Sequence, residues 1–298
     1  MRVSHSKSYY FQVHFERLLL GKLYRMSLAP IQLASSMCSA LVELIHADDA
    51  PIDRIEIGPW FTVDAIHDLH QQLPDWKFHL HDGDLHNNFG TLDPVIEQMR
   101  AQHAVTDSPF LSLHITLMFR GMVRIRKFGV PFPRLSHQFM TKRLIRRIKK
   151  VREGLNKPVI LENMPGFPKY TVEAQPNRIT AICEATDCDL LLDLGHARCA
   201  ADNLNMDIYT YLLSLPLERI KQIHAHGPRI GRWDKLEDTH EPMQSIDYEL
   251  LTWLLERCHP QIVTLEYWKD KTAIREQLYR IREIINQKSY SVGSDLDT

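Results

Sequence analysis

Eight short apolar runs, each followed by a stretch of helical periodicity, constrain this chain more than any other feature of its 298 residues. The runs are PIQLA (30–34), RIEIG (54–58), KFHLH (77–81), FLSLHIT (110–116), PVILEN (158–163), DLLLDLG (189–195), IKQIHAHG (220–227) and IVTLEY (262–267). Between them lie amphipathic stretches such as TVDAIHDLHQQL, LDPVIEQMRAQH, HQFMTKRLIRRIKKVREGL, DIYTYLLSLP and DYELLTWLLERC. Strands separated by helices pair in parallel through right-handed crossovers. Near-continuous apolar strands require a sheet covered on both faces. Eight such units predict a single (β/α)8 TIM barrel of the α/β class.

The barrel is expected over residues 26–285. Before it, MRVSHSKSYYFQVHFERLLLGKLYR differs in character from the rest of the chain, so residues 1–25 are read as an extension outside the fold. The polar end, QKSYSVGSDLDT, places a flexible tail at 286–298. The N-terminal stretch has no apolar h-region, and no run approaches the roughly 18 apolar residues of a membrane span. A net charge of −1 excludes a strong global field for nucleic acid or membrane. Five cysteines form neither a CxxC pair nor a secreted framework, which fits a reducing cytoplasm.

Chemistry enters at the strand ends. Glu56, His81, His114, Glu162, Asp193, His224 and Glu266 each stand at or near the C-terminal end of a different run. A barrel gathers those ends at one mouth, where such enzymes place their sites. All seven are hard or borderline ligands for transition metals, and none is Lys or Arg. Carboxylates crowded into one cavity repel one another without cations, so bound metal is the economical reading. DLGH adds His196 three positions after Asp193, with Gly195 expected to permit a tight turn. IHAHG offers His224 as the likelier ligand and His226 behind it. LEDTHEPM supplies Asp238 and His240 from what reads as a loop. In ILENMPG, Glu162 has two oxygens with which to bridge metals, and Asn163 stands beside it as a pocket candidate with Glu56 and His226.

Other features carry plainer readings. The helix around KRLIRRIKKVRE is an outer barrel helix with a solvated basic face. His67, His70, His103 and His259 are read as surface residues. Trp60, Trp233 and Trp268 either wall the pocket or pack in the core. There is no phosphate-binding glycine loop and no GxSxG elbow.

With these residues in view, the chain resembles the multinuclear non-haem iron-dependent oxidative enzymes, formerly described only as a domain of unknown function and related to the xylose-isomerase-like TIM barrels. The likeness runs from about Met26 to about Ile285. It is strongest over VILEN, LLLDLGHARCAADNLNMDIYTYLLSLPLERIKQIHAHG, EDTHEPM and IVTLEY. It implies a metal shell at His81, His114, Glu162, Asp193, His196, His224, Asp238, His240 and Glu266. It further implies two or three iron ions and oxidation of a small molecule or a cysteine-containing peptide, delivered by a separate partner protein. His196 stands where the oxidative relatives generally carry Asn, and HAHG replaces a longer HxAGH-like turn. A non-redox zinc or manganese enzyme, either a sugar isomerase or epimerase or an endonuclease IV-like phosphodiesterase, is the alternative. A binding protein with a vestigial site would have lost ligands, and all are present. The expectation is therefore a cytoplasmic metal enzyme with neither nucleic acid nor membrane as partner.

Overall fold

A computed structural model describes residues 29–83, 85, 91–117, 136–166 and 171–294. The barrel strands are β1 (Gln32–Ser36), β2 (Arg54–Ile57), β3 (Phe78–Leu80), β4 (Leu111–His114), β5 (Val159–Glu162), β6 (Asp189–Asp193), β7 (Ile220–Ala225) and, after a hairpin, β10 (Ile262–Leu265). Each lies within one of the eight runs or overlaps it. They form one parallel sheet in the order β3-β2-β1-β10-β7-β6-β5-β4. The gap between β3 and β4 is bridged at Gly83, whose N–H donates to Ser112 O (3.1 Å) and whose carbonyl accepts from His114 N (2.9 Å). Gly83 has φ +69°, a conformation that favours glycine. The result is a nearly closed TIM barrel.

The helices between the strands are α1 (Ser39–His46), α2 (Val63–Gln72), α3 (Asp93–Ala104), α4 (His137–Leu155), α5 (Pro176–Thr186), α6 (Leu194–Leu204), α7 (Ile208–Leu213), α8 (Ser245–Leu255) and α9 (Lys271–Ser294). Their buried faces form one large core with the outward faces of the strands. α9 carries on past the expected boundary at 285, and it buries Ile274, Leu278, Ile281 and Ile285 at helical spacing. Residues 1–25, read as an extension, and 295–298 of the expected tail lie outside the described residues.

Three local readings are corrected. Asp238 and His240 do not sit in a loop, because β8 (Gly227–Ile230) and β9 (Leu236–Glu241) pair antiparallel as a separate ribbon that carries both. Gly195 does not serve a turn. β6 runs directly into α6, Asp193 is the N-cap, and Gly195 is already helical. A Cβ there would lie 2.1 Å from His226 Cε1, so glycine leaves room for that ring. His103 is not a surface residue, since it is 5% exposed and its Nε2 lies 2.9 Å from Asp82 Oδ1. The basic helix α4 does present Arg146, Lys149 and Lys150 outward, but Arg147 is buried and its Nη2 donates to Leu85 O (3.3 Å).

Candidate metal centre

The inward faces of the strands explain why apolar runs end in ligands. Phe110, Ile160, Leu191 and Ile262, with Ala34, form a second, separate apolar cluster. Each of the first four precedes a strand-end ligand by two or four positions: His114, Glu162, Asp193 and Glu266. At that spacing strand side chains share a face. Each strand therefore seals the barrel with an apolar residue and then presents a ligand at the mouth. Above them opens a cavity of about 1020 Å³ whose lining includes His81, His114, Glu162, His196, Asp238, His240 and Glu266. Trp60, Trp233 and Trp268 wall it and are 77%, 76% and 45% exposed, so they do not pack in the core.

Donor atoms meet at several points. His81 Nε2 and His114 Nε2 lie 3.1 Å apart, and Glu162 Oε2 is 3.3 and 3.0 Å from them. The other oxygen, Glu162 Oε1, faces His196 Nδ1 at 3.2 Å, so this carboxylate reaches two neighbouring groups. Asp193, at the end of β6, completes a set with Glu162 and His196. Asp238 Oδ2 lies 3.2 Å from His196 Nε2, and Asp238 Oδ1 lies 3.2 Å from His240 Nε2 and 3.6 Å from His226 Nε2. Glu266 Oε2 lies 3.3 Å from His224 Nδ1. All nine residues singled out as ligands fall in clusters of this kind, and so do Glu56 and His226.

Two observations bear on whether a metal fits. The first is a set of buried atoms that make no hydrogen bond of good geometry although groups of the cluster lie 3.0 to 4.0 Å away: Glu162 Oε2, Asp193 Oδ2 and His224 Nδ1. Buried polar atoms are normally satisfied, and three such orphans on neighbouring strands point to a ligand that completes them. The second is charge. Burial pushes the Asp193 carboxyl up, but His196 and His226 outweigh it and hold it at about 2. Burial likewise opposes protonation of His196 and His224, yet the carboxylates beside them raise both well above the usual imidazole value. His240 is lifted to about 9, Asp238 prevailing over burial. When His196, His224 and His240 hold their protons they neutralise the carboxylates beside them, the part that a cation takes over when imidazoles ligate in neutral form. Among the described residues lining the cavity none is Lys or Arg. The donor set fits a metal.

Neighbours set the pose of these groups. Asp193 Oδ1 caps α6 by accepting from His196 N (2.6 Å) and accepts from His226 Nε2 (3.1 Å), leaving Oδ2 for the mouth. Asn163 does not face the cavity. Its amide donates to Asp193 O (3.0 Å) and accepts from Asp193 N (2.8 Å), while its own carbonyl accepts from His196 Nδ1 (2.9 Å). His226 is fully buried and stacks at 4.0 Å on His240, whose φ of +44° is uncommon for a residue with a side chain. Sequence reasoning missed Ser112, His79, Gln222 and Thr264. Each lies two positions before a predicted ligand on the same strand face: His114, His81, His224 and Glu266. That alternation was the signal available.

The sequence profile described as RiPP precursor modification enzyme MbnB/TglH/ChrH matches residues 87–287. The chain belongs to that family. A UPF0276 protein of Shewanella oneidensis is 31% identical over 231 residues, covering 74% of this chain and 79% of that protein. UPF0276 protein Anae109_1558 of Anaeromyxobacter is 34% identical over 131 residues, covering 43% and 45%. The chain thus spans less than half the length of this second relative. Among solved structures, 3-keto-D-glucoside 4-epimerase from E. coli superimposes with a TM-score of 0.55 at 13% identity, covering 85% of this chain and 99% of that one. A xylose isomerase domain containing protein from Salmonella typhimurium also gives 0.55, at 11% identity, covering 85% and 97%. At such identity the likeness establishes the TIM-barrel fold alone. The family is described as one of precursor modification enzymes. Among the described residues no helix is long and apolar enough to cross a membrane.

Proposed function

We propose that this protein is a non-haem iron-dependent oxidative enzyme, an oxidoreductase holding two or three ions in the barrel mouth and modifying a cysteine-containing peptide. The observation that carries this reading is the convergence of orphaned donor atoms from different strands on one mouth. His81, His114 and Glu162 would hold one ion. Glu162, Asp193, His196, Asp238 and His240 would serve a second, and Asp193, His224 and Glu266 a third. Carboxylate oxygen mixed with imidazole nitrogen suits iron, manganese or zinc better than calcium or magnesium. Bound iron supplies the redox chemistry. The chain contributes the rest: Asn163 clamps Asp193, three tryptophans wall the approach, and a cavity of about 1020 Å³ suits a peptide segment or small molecule. The family's description as precursor modification enzymes supports a peptide substrate; a separate partner protein would present it. The near-neutral charge supports the absence of nucleic acid and membrane partners, and the unpaired cysteines support a cytoplasmic setting.

The test is elemental analysis of anaerobically purified protein alongside its visible spectrum. Iron with charge-transfer absorption is expected. Stoichiometric zinc or manganese without colour would replace this reading with the non-redox isomerase, epimerase or phosphodiesterase.

A further inference from the structure

Four imidazoles at the mouth differ in which nitrogen the protein already uses. His81 Nδ1 lies 2.9 Å from Ser112 Oγ, His196 Nδ1 lies 2.9 Å from Asn163 O, and His240 Nδ1 lies 3.2 Å from Glu266 O. Each of these leaves Nε2 for the cluster. His224 is reversed. Its Nε2 lies 3.0 Å from Glu56 Oε2, and its orphaned Nδ1 faces Glu266 Oε2. Glu56 is 4% exposed, and its Oε2 also takes His79 Nε2 (2.9 Å), Gln222 Nε2 (2.7 Å) and Thr264 Oγ1 (3.3 Å). An ionised carboxylate only accepts, so the contact to Glu56 places the His224 proton on Nε2. Gln222 Nε2, 3.0 Å from that nitrogen, directs its own two N–H groups to Glu56 Oε2 and Thr264 Oγ1. An oxygen already facing four donors has no lone pair to spare for a cation.

Resting on the metal reading above, the geometry points to Glu56 as a positioning residue that locks His224 in the Nε2–H tautomer, making Nδ1 its ligand atom. Glu56 is then not itself a ligand through Oε2, although it stands in a cluster with His224 and Glu266. The acceptor behind an imidazole sets which nitrogen is free to ligate, and loss of such an acceptor weakens metal binding about 10- to 100-fold.

The probe is Zn²⁺ with full-length protein labelled with ¹⁵N-histidine. Long-range ¹H–¹⁵N spectra report which nitrogen of His224 carries the proton, the signal being assigned by its loss in His224→Gln. The expected result is a proton on Nε2 and a zinc-shifted Nδ1. Competition titrations should then show Glu56→Ala binding zinc about 10- to 100-fold more weakly. Glu56→Gln, which keeps an acceptor oxygen, should recover most of that loss. In the zinc-loaded protein, a His224 whose only proton sits on Nδ1, or a Glu56→Gln variant that binds zinc as weakly as Glu56→Ala, would overturn the positioning role. Should Glu56→Ala fail to fold, the wild-type tautomer and Glu56→Gln still decide. Wild-type protein that takes up no zinc would instead sink the metal reading beneath it.

Discussion

Asp82 with His103 and Asp193 with His226 are two buried histidine–carboxylate pairs in one barrel, 2.9 and 3.1 Å apart. Asp82 is satisfied from within. Both its oxygens face His103 Nε2, and Oδ2 accepts from Ser112 N at 3.0 Å. His103 Nδ1 in turn lies 3.4 Å from Lys157 Nζ, which also donates to Ser108 O. Asp193 gives Oδ1 to the α6 cap and to His226, while its Oδ2 and His226 Nδ1 find no partner. Burial and pairing therefore do not separate scaffold from site; the unused lone pair does.

Substitution at each pair tests that distinction. Asp193→Ala is expected to remove about one metal equivalent by elemental analysis and to abolish activity while the barrel stays folded. Retention of full metal content would break the comparison outright. Asp82→Ala should do the reverse, costing about 3 kcal/mol in urea unfolding because His103 is left buried alone, with metal per folded molecule unchanged. Equal metal loss in the two variants would show that the satisfied pair belongs to the site after all. Gly195→Ala should push the His226 ring aside at a cost of about 1–3 kcal/mol. It should also lower metal content, sharpening the assignment of His226 to the open pair. The smallest contrast lies on α4. Arg147→Ala should cost about 1 kcal/mol, since Leu85 O loses a donor, whereas Arg146→Ala should stay within about 0.5 kcal/mol. Neither should create or abolish a salt-sensitive nucleic-acid shift.

The same distinction explains what is legible in the sequence. All eight barrel strands are readable because apolar runs bounded by turns report burial directly, and their ends name the ligand candidates. Gly195 misleads because its constraint comes from His226, a residue distant in sequence whose ring fills the space a Cβ would take. His103 misleads because its helical context gives no sign of Asp82 across the barrel wall. The β8–β9 ribbon is hidden by its charged composition, which reads as solvated loop until the two strands are seen to pair. Asn163 stands out beside Glu162, yet its work is to grip the Asp193 backbone, a contact that no spacing rule reveals.

The ribbon has a consequence in time. Asp238 and His240 reach the mouth on a ribbon whose two strands, among the described residues, pair with each other alone. Lys235 anchors the ribbon by donating to Asp202 O (2.6 Å) and Asn205 Oδ1 (3.0 Å), and Leu236 N donates to Asp202 Oδ2 (2.8 Å). Lifting the ribbon also breaks the bonds from Lys269 Nζ to Thr239 O (3.0 Å) and Glu241 Oε1 (2.6 Å) and from His240 Nδ1 to Glu266 O (3.2 Å). It breaks no rung of the barrel ladder, so it is a local opening that costs less than unfolding the barrel. Loaded protein should therefore give up metal to a chelator at the rate at which the ribbon lifts, long before the barrel melts. On this reading the strand-end residues would hold the ion's place, and the ribbon would set how long it stays.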